Sequence, residues 1–94
     1  MNEKQRLEKV LAWVNKIRKE RFREKPLKHL AKGEIGSCYS CPIHNCFAKP
    51  GDQYVSVGDR ETQINGEDIR HPKYVTHFVY AFDDGKYPNL VKRG

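Results

Sequence analysis

Three cysteines and a histidine fall within nine residues of this 94-residue chain: Cys38, Cys41, His44 and Cys46, in the run Gly36-Ser-Cys-Tyr-Ser-Cys-Pro-Ile-His-Asn-Cys-Phe47. The chain has no other cysteine. Thiolate and imidazole are the donors that zinc prefers, and C-x-x-C is a bite that one ion accepts. His44 follows Cys41 at the same spacing, so Cys41-Pro-Ile-His44 is similar to one knuckle of a zinc ribbon. Cys46 would complete a Cys₃His set, which makes Zn2+ the candidate cofactor. Four ligands from nine residues need a tight wrap, whereas structural zinc usually ties two separated pairs. A split site of Cys38 and Cys41 with His71 and His77 meets an obstacle of phase: His77 points about 160° from the apolar face of its helix. His29 is the better distant partner. The competing reading is plain packing: Cys41 caps a helix, and Cys46 and Phe47 point inward, since free cysteine is among the most buried residue types. Cys41 at a helix N-terminus would be the most reactive thiol. With His44 as base it defines a third possibility, a thiol- or metal-dependent enzyme.

Charge is the second chemical signal. The net charge is +6. Residues 1–33 hold eleven Lys or Arg and four Glu, a net +7, while residues 34–94 hold seven basic and eight acidic side chains, a net −1. A positive excess confined to one third of the chain suggests an acidic partner: nucleic acid, or the acidic surface of a protein. Lys16-Ile-Arg-Lys-Glu-Arg-Phe-Arg-Glu-Lys25 is its densest part. The expected contacts are Lys9, Lys16, Arg18, Lys19, Arg21 and Arg23, binding phosphates without sequence preference. Arg18 and Arg21 near Phe22 add base stacking. A solvated helix face is the bland alternative, with Glu20 pairing to Lys16 and Arg23. There is no helix-turn-helix signature and no glycine-rich phosphate loop.

The elements that must carry these residues follow from periodicity. Leu7, Val10, Leu11, Val14 and Ile17 form the apolar stripe of a helix over residues 3–24. Lys9, Lys16, Lys19 and Arg23 lie opposite, within about 80° of one another. Beyond Ile17 the stripe fails, so the last turns are expected to protrude. Residues 1–25 are thus a basic amphipathic helix, and 26–49 hold two short helices with the cysteine cluster. The first of these runs from Pro26 to Lys32 and stops at Gly33. The second starts at Pro42 with Cys41 as its cap and ends at Lys49-Pro50-Gly51. Residues 53–65 read as a hairpin turning at Gly58-Asp59, and Gly66 to Arg70 as a loop. A C-terminal helix over 72–84 buries Val75, Phe78, Val79 and Phe82. The tail Tyr87-Pro-Asn-Leu-Val91 packs back through Leu90 and Val91. The expected class is α+β, a mainly helical single domain with one β-hairpin in the order α-α-α-β-β-α.

Three pieces of sequence carry a resemblance: Leu30-Ala-Lys-Gly-Glu-Ile-Gly36, Cys41-Pro42, and Val79-Tyr-Ala-Phe-Asp-Asp-Gly-Lys-Tyr-Pro-Asn-Leu-Val91. Together they are similar to small accessory proteins encoded by actinobacterial viruses. The resemblance implies a protein that binds host or viral macromolecules rather than an enzyme. It supplies no activity, and His44 and Cys46 are not part of its pattern. Three clustered cysteines make no disulfide framework, the N-terminus has no signal-peptide pattern, and the apolar runs are too short to span a membrane. The expectation is therefore a cytoplasmic binding protein. It contacts nucleic acid or a nucleic-acid-bound complex. The alternatives are an inhibitor or adaptor of a host protein and a small zinc module.

Overall fold

In the computed structural model, which describes residues 2–37, 39–47 and 54–92, the first helix starts with its own lock. Asn2 Oδ1 accepts from the Gln5 N–H at 2.8 Å, and Gln5 Oε1 accepts from the Asn2 N–H at 3.2 Å, a reciprocal capping box. Helix α1 runs Glu3–Ile17 and buries Val10, Val14 and Ile17, as the stripe requires. It passes without a break into a π-helical segment, Arg18–Phe22. Arg23 ends it in the left-handed conformation, φ 52°. The helical stretch thus stops close to where the sequence put it.

Residues 26–32 form no helix, contrary to expectation. They carry no regular secondary structure, with bends at Lys28 and His29. The Asn15 side chain holds this path: its Oδ1 accepts from the Leu27 N–H at 2.8 Å, and its Nδ2 donates to the Leu27 carbonyl at 3.0 Å. Seven residues nucleate a helix poorly, and tertiary hydrogen bonds win here. At the end of this segment Gly33 forms a parallel bridge with Val91. Its N–H donates to the Leu90 carbonyl and its carbonyl accepts from the Lys92 N–H, both at 2.8 Å. The Cys41-Pro42 backbone lies so close to Gly33 that an added Cβ would sit 2.4 Å from both Cys41 C and Pro42 N.

Helix α2 spans Pro42–Phe47 as far as the described residues go; its expected end at Lys49-Pro50-Gly51 lies outside them. Strands β1 (Val55–Val57) and β2 (Glu61–Ile64) pair antiparallel around Gly58-Asp59-Arg60. Residues 67–70, read as loop, are instead a third strand, β3 (Glu67–Arg70), antiparallel to β2 with Thr62 opposite Ile69. Asn65 and Gly66, at φ 51° and 85°, make the two-residue turn between them, the geometry that Asn-Gly favours. The polar Glu-Asp-Ile-Arg strand hides its nature because it lies at the sheet edge, with only Ile69 turned toward the core. The element order is therefore α-α-β-β-β-α, an α+β domain. Helix α3 (Lys73–Asp83) buries Val75, Phe78 and Phe82 and ends at Gly85, φ 79°. A 3₁₀ turn, Pro88–Leu90, brings Leu90 and Val91 back against the core. Val55, Val57, Thr62 and Ile64 give the sheet its inner face. No described helix is long and apolar enough to cross a membrane.

Candidate functional site

The basic residues of α1 divide into two groups by what they touch. Lys16, Lys19 and Arg23 are exposed and border an open groove with Lys25, Glu24, Asn15, Ala12 and Pro26. One wall is the outer face of the helix. The other is the turn 23–26, where the chain doubles back beside the helix. Arg18 fixes that turn: its Nε and Nη2 donate to the Lys25 carbonyl at 3.4 and 3.1 Å. Asn15 holds Leu27 two residues on. None of Lys16, Lys19, Arg23 and Lys25 is in an ion pair among the described residues, and Glu20 bonds neither Lys16 nor Arg23. Lys25 was not among the candidate contacts. The turn returns it to the groove.

The other three candidates serve the fold or a neighbour. Arg18 also donates through Nη1 to the Cys46 carbonyl at 2.6 Å, so its guanidinium joins the π segment, the turn and α2. That is why it stands where a leucine would continue the stripe: the flat donor fork meets backbone carbonyls. Arg21 makes a bidentate pair with Glu67, Nη2 to Oε1 at 2.9 Å and Nη1 to Oε2. The hydrogen-bonded guanidinium holds the Glu67 carboxyl below its usual range. The Lys9 ammonium sits 5.7 Å above the Tyr74 ring, a cation–π contact with α3. The expected protrusion of residues 18–24 thus holds for Lys19, Glu20 and Arg23, while Arg18 and Phe22 turn inward.

Of the cysteine cluster, Cys38 lies outside the described residues. Cys41 caps α2: its Sγ accepts from the His44 N–H at 3.3 Å, and its carbonyl accepts from the Asn45 N–H at 2.9 Å. Pro42 takes the first helical position, where a missing N–H costs nothing. Cys46 is 1% exposed, with its Sγ accepting from the Ala31 N–H at 3.3 Å. Burial pushes its thiol pKa up, against the Ala31 hydrogen bond and the charge of Arg18. His44 is half-buried, with Nδ1 3.2 Å from Asn45 Oδ1. Among the described residues no three His, Cys, Asp or Glu side chains come together as metal ligands. His77 is exposed, as its phase requires.

Two further arrangements emerge only in three dimensions. His71 is 7% exposed and sits edge-on to Trp13, ring centroids 5.3 Å apart. Its Nδ1 donates to the Asp59 carbonyl at 3.2 Å, and its Nε2 accepts from the buried Thr62 hydroxyl at 2.6 Å. Tyr39 and Tyr54, 56% and 50% exposed, meet edge to face at 6.2 Å with their hydroxyls 3.1 Å apart. The His44 ring lies against Tyr39 at 6.4 Å.

Comparison with protein-family models, curated proteins and solved structures gives no match to this chain.

Proposed function

We propose that this protein binds nucleic acid, with the phosphate backbone lying in the groove bordered by Lys16, Lys19, Arg23 and Lys25. The observation that carries the reading is four exposed cations around one groove, none of them in an ion pair among the described residues. Unpaired cations on a held frame favour a polyanion, because binding releases its condensed counterions and orders few side chains. Phosphate contacts of this kind position a strand without reading its bases. The reaction is binding alone; no catalytic group is invoked.

Fluorescence anisotropy with labelled DNA and RNA tests the reading. Each phosphate neutralised on duplex DNA contributes about 0.9 to the slope of log affinity against log salt, so four cations set a slope near 3.6 and a loss of about 100-fold between 50 and 200 mM salt. The triple variant Lys16→Glu, Lys19→Glu, Arg23→Glu should abolish binding at 100 mM salt yet melt like the parent, since all three side chains face solvent. Absence of binding at 50 mM salt, or a triple variant that binds as the parent does, would overturn the proposal. So would retention of polyglutamate with no affinity for nucleic acid, which would favour an acidic protein partner.

A further inference from the structure

We infer that the strand bound is single-stranded, and that Tyr39 and Tyr54, with His44 against Tyr39, are the platform on which its bases stack. The inference rests on the reading of the basic groove as a phosphate track.

The observation is two tyrosine rings left half in solvent and in contact with each other; Tyr80, 48% exposed, is the other such tyrosine among the described residues. Phe47, Phe78 and Phe82 are each 1% exposed, and Tyr87 is 5% exposed. Tyr39 and Tyr54 stand edge to face at 63°, joined through their hydroxyls, so the pair stiffens itself and leaves ring surface outward. His44 also meets Tyr39, at 78°, so three rings make one group. A rigid, exposed aromatic group is suited to bases, whose flat faces stack on any π surface whatever the sequence.

Position ties the group to the basic helix. Tyr54 belongs to the same hairpin end as Asn65: the Tyr54 N–H donates to Asn65 Oδ1 at 3.0 Å, and the Asn65 N–H donates to the Tyr54 carbonyl at 2.9 Å. Two residues on, Glu67 grips Arg21 of the π segment. A continuous set of bonds therefore runs from the end of the basic helix through the β2–β3 turn to the tyrosines. His44 lies on α2, whose Cys46 carbonyl is held by Arg18 of the same segment.

Ring geometry chooses between single strand and duplex. The ring centroids of Tyr39 are 6.2 Å from Tyr54 and 6.4 Å from His44. Bases stacked in a duplex rise only about 3.4 Å per step and present their edges, not their faces. Rings inclined at 63° and 78° to one another offer faces in different directions, which suits a strand whose bases are splayed rather than stacked in register.

The test compares 12-nucleotide oligothymidylate and oligouridylate with a 12-base-pair duplex, at one salt concentration, by anisotropy. The parent should prefer the single strands at least tenfold. Tyr39→Ala and Tyr54→Ala should each weaken single-strand binding about tenfold, with the salt slope unchanged and duplex binding unaffected. Tyr39→Phe and Tyr54→Phe, which keep the rings and drop the hydroxyls, should bind within twofold of the parent. Photo-crosslinking of 5-bromouridine oligonucleotides should map by mass spectrometry to peptides carrying Tyr39 or Tyr54, a readout that needs no variant. Equal affinity for duplex and single strand, alanine variants that bind as the parent does, or crosslinks confined to α1 would each overturn this inference and leave the basic groove standing. No binding to any of the three probes at 50 mM salt would overturn both.

Discussion

The imidazole of His71 has partners that only its neutral form satisfies together. The Asp59 carbonyl can only accept, which fixes the proton on Nδ1, so Nε2 must accept from Thr62. A second proton, on Nε2, would turn the Thr62 hydroxyl into an acceptor and take from its own buried hydrogen the Nε2 partner it now has. Burial accordingly pushes the His71 pKa down, and the Asp59 carbonyl bond and charge recover only part of the shift. The unfolded chain takes up this proton near its ordinary value of about 6.5. The contribution of His71 to stability is therefore complete above that pH, and is lost as pH falls from there toward the lower folded value. Urea denaturation should show a clear drop in midpoint from pH 7.5 to pH 5.5. His71→Gln should lower the midpoint at pH 7.5 and flatten the drop; an equal drop in that variant would show that the ring is not its source. None of this was legible beforehand. The sequence offered His71 only as a remote metal ligand, because its partner Thr62 faces it through a strand pairing that the polar β3 concealed. The Cys41 cap was legible, since Pro42 after it marks a helix start on its own.

At the scale of elements, the π segment is what turns a basic helix end into a groove. Continued at 100° per residue, α1 would carry Phe22 roughly 80° away from its apolar stripe. A wider i→i+5 turn advances less per residue and swings Phe22 onto the core, where its ring centroid lies 6.0 Å from that of Phe47. The same winding sets Arg18 against two carbonyls and leaves Lys19 and Arg23 outside. Arg23 then reverses the chain at φ 52°, a conformation that costs a residue with a side chain about 1 kcal/mol relative to glycine. Both the Arg23 and Glu24 N–H groups return to the Arg18 carbonyl. We expect Arg23→Gly to raise the melting temperature by about 5 °C and to weaken nucleic-acid binding through the lost charge. Scanning calorimetry and the anisotropy assay check the two halves separately. An unchanged or lower melting temperature would show that the arginine side chain compensates its own strain. Local pattern found the start, stripe and end of α1, both strands of the first hairpin, and the phase of α3. It erred where side chains far apart decide: Asn15 holding residue 27 out of a helix, and an Asn-Gly turn admitting a polar strand.

Across the whole molecule, residue 33 and the tail hold one another. The run after the groove ends at Gly33, which is seated between the tail residues 90–92 and the turn that starts α2. Gly33→Ala must push a methyl group into three backbone atoms that have no room to yield, at a cost of about 3 kcal/mol. For a domain of this size that means a melting temperature lower by about 15 °C. A melt within a few degrees of the parent would mean the tail shifts freely. Part of the charge asymmetry of the sequence is gathered by folding into four cations around one groove, whereas the arrangement around Gly33 had no sequence signature beyond a glycine read as a helix stop. That seat also imposes an order of events during synthesis. Residue 33 leaves the ribosome early, but its partners come 57 and 59 positions later. At about 5–20 residues per second the gap is about 3–12 s. Through that interval the strut behind Cys41 and Cys46 is missing. The nascent chain therefore exposes to oxidants and electrophiles two thiols that the finished protein keeps buried.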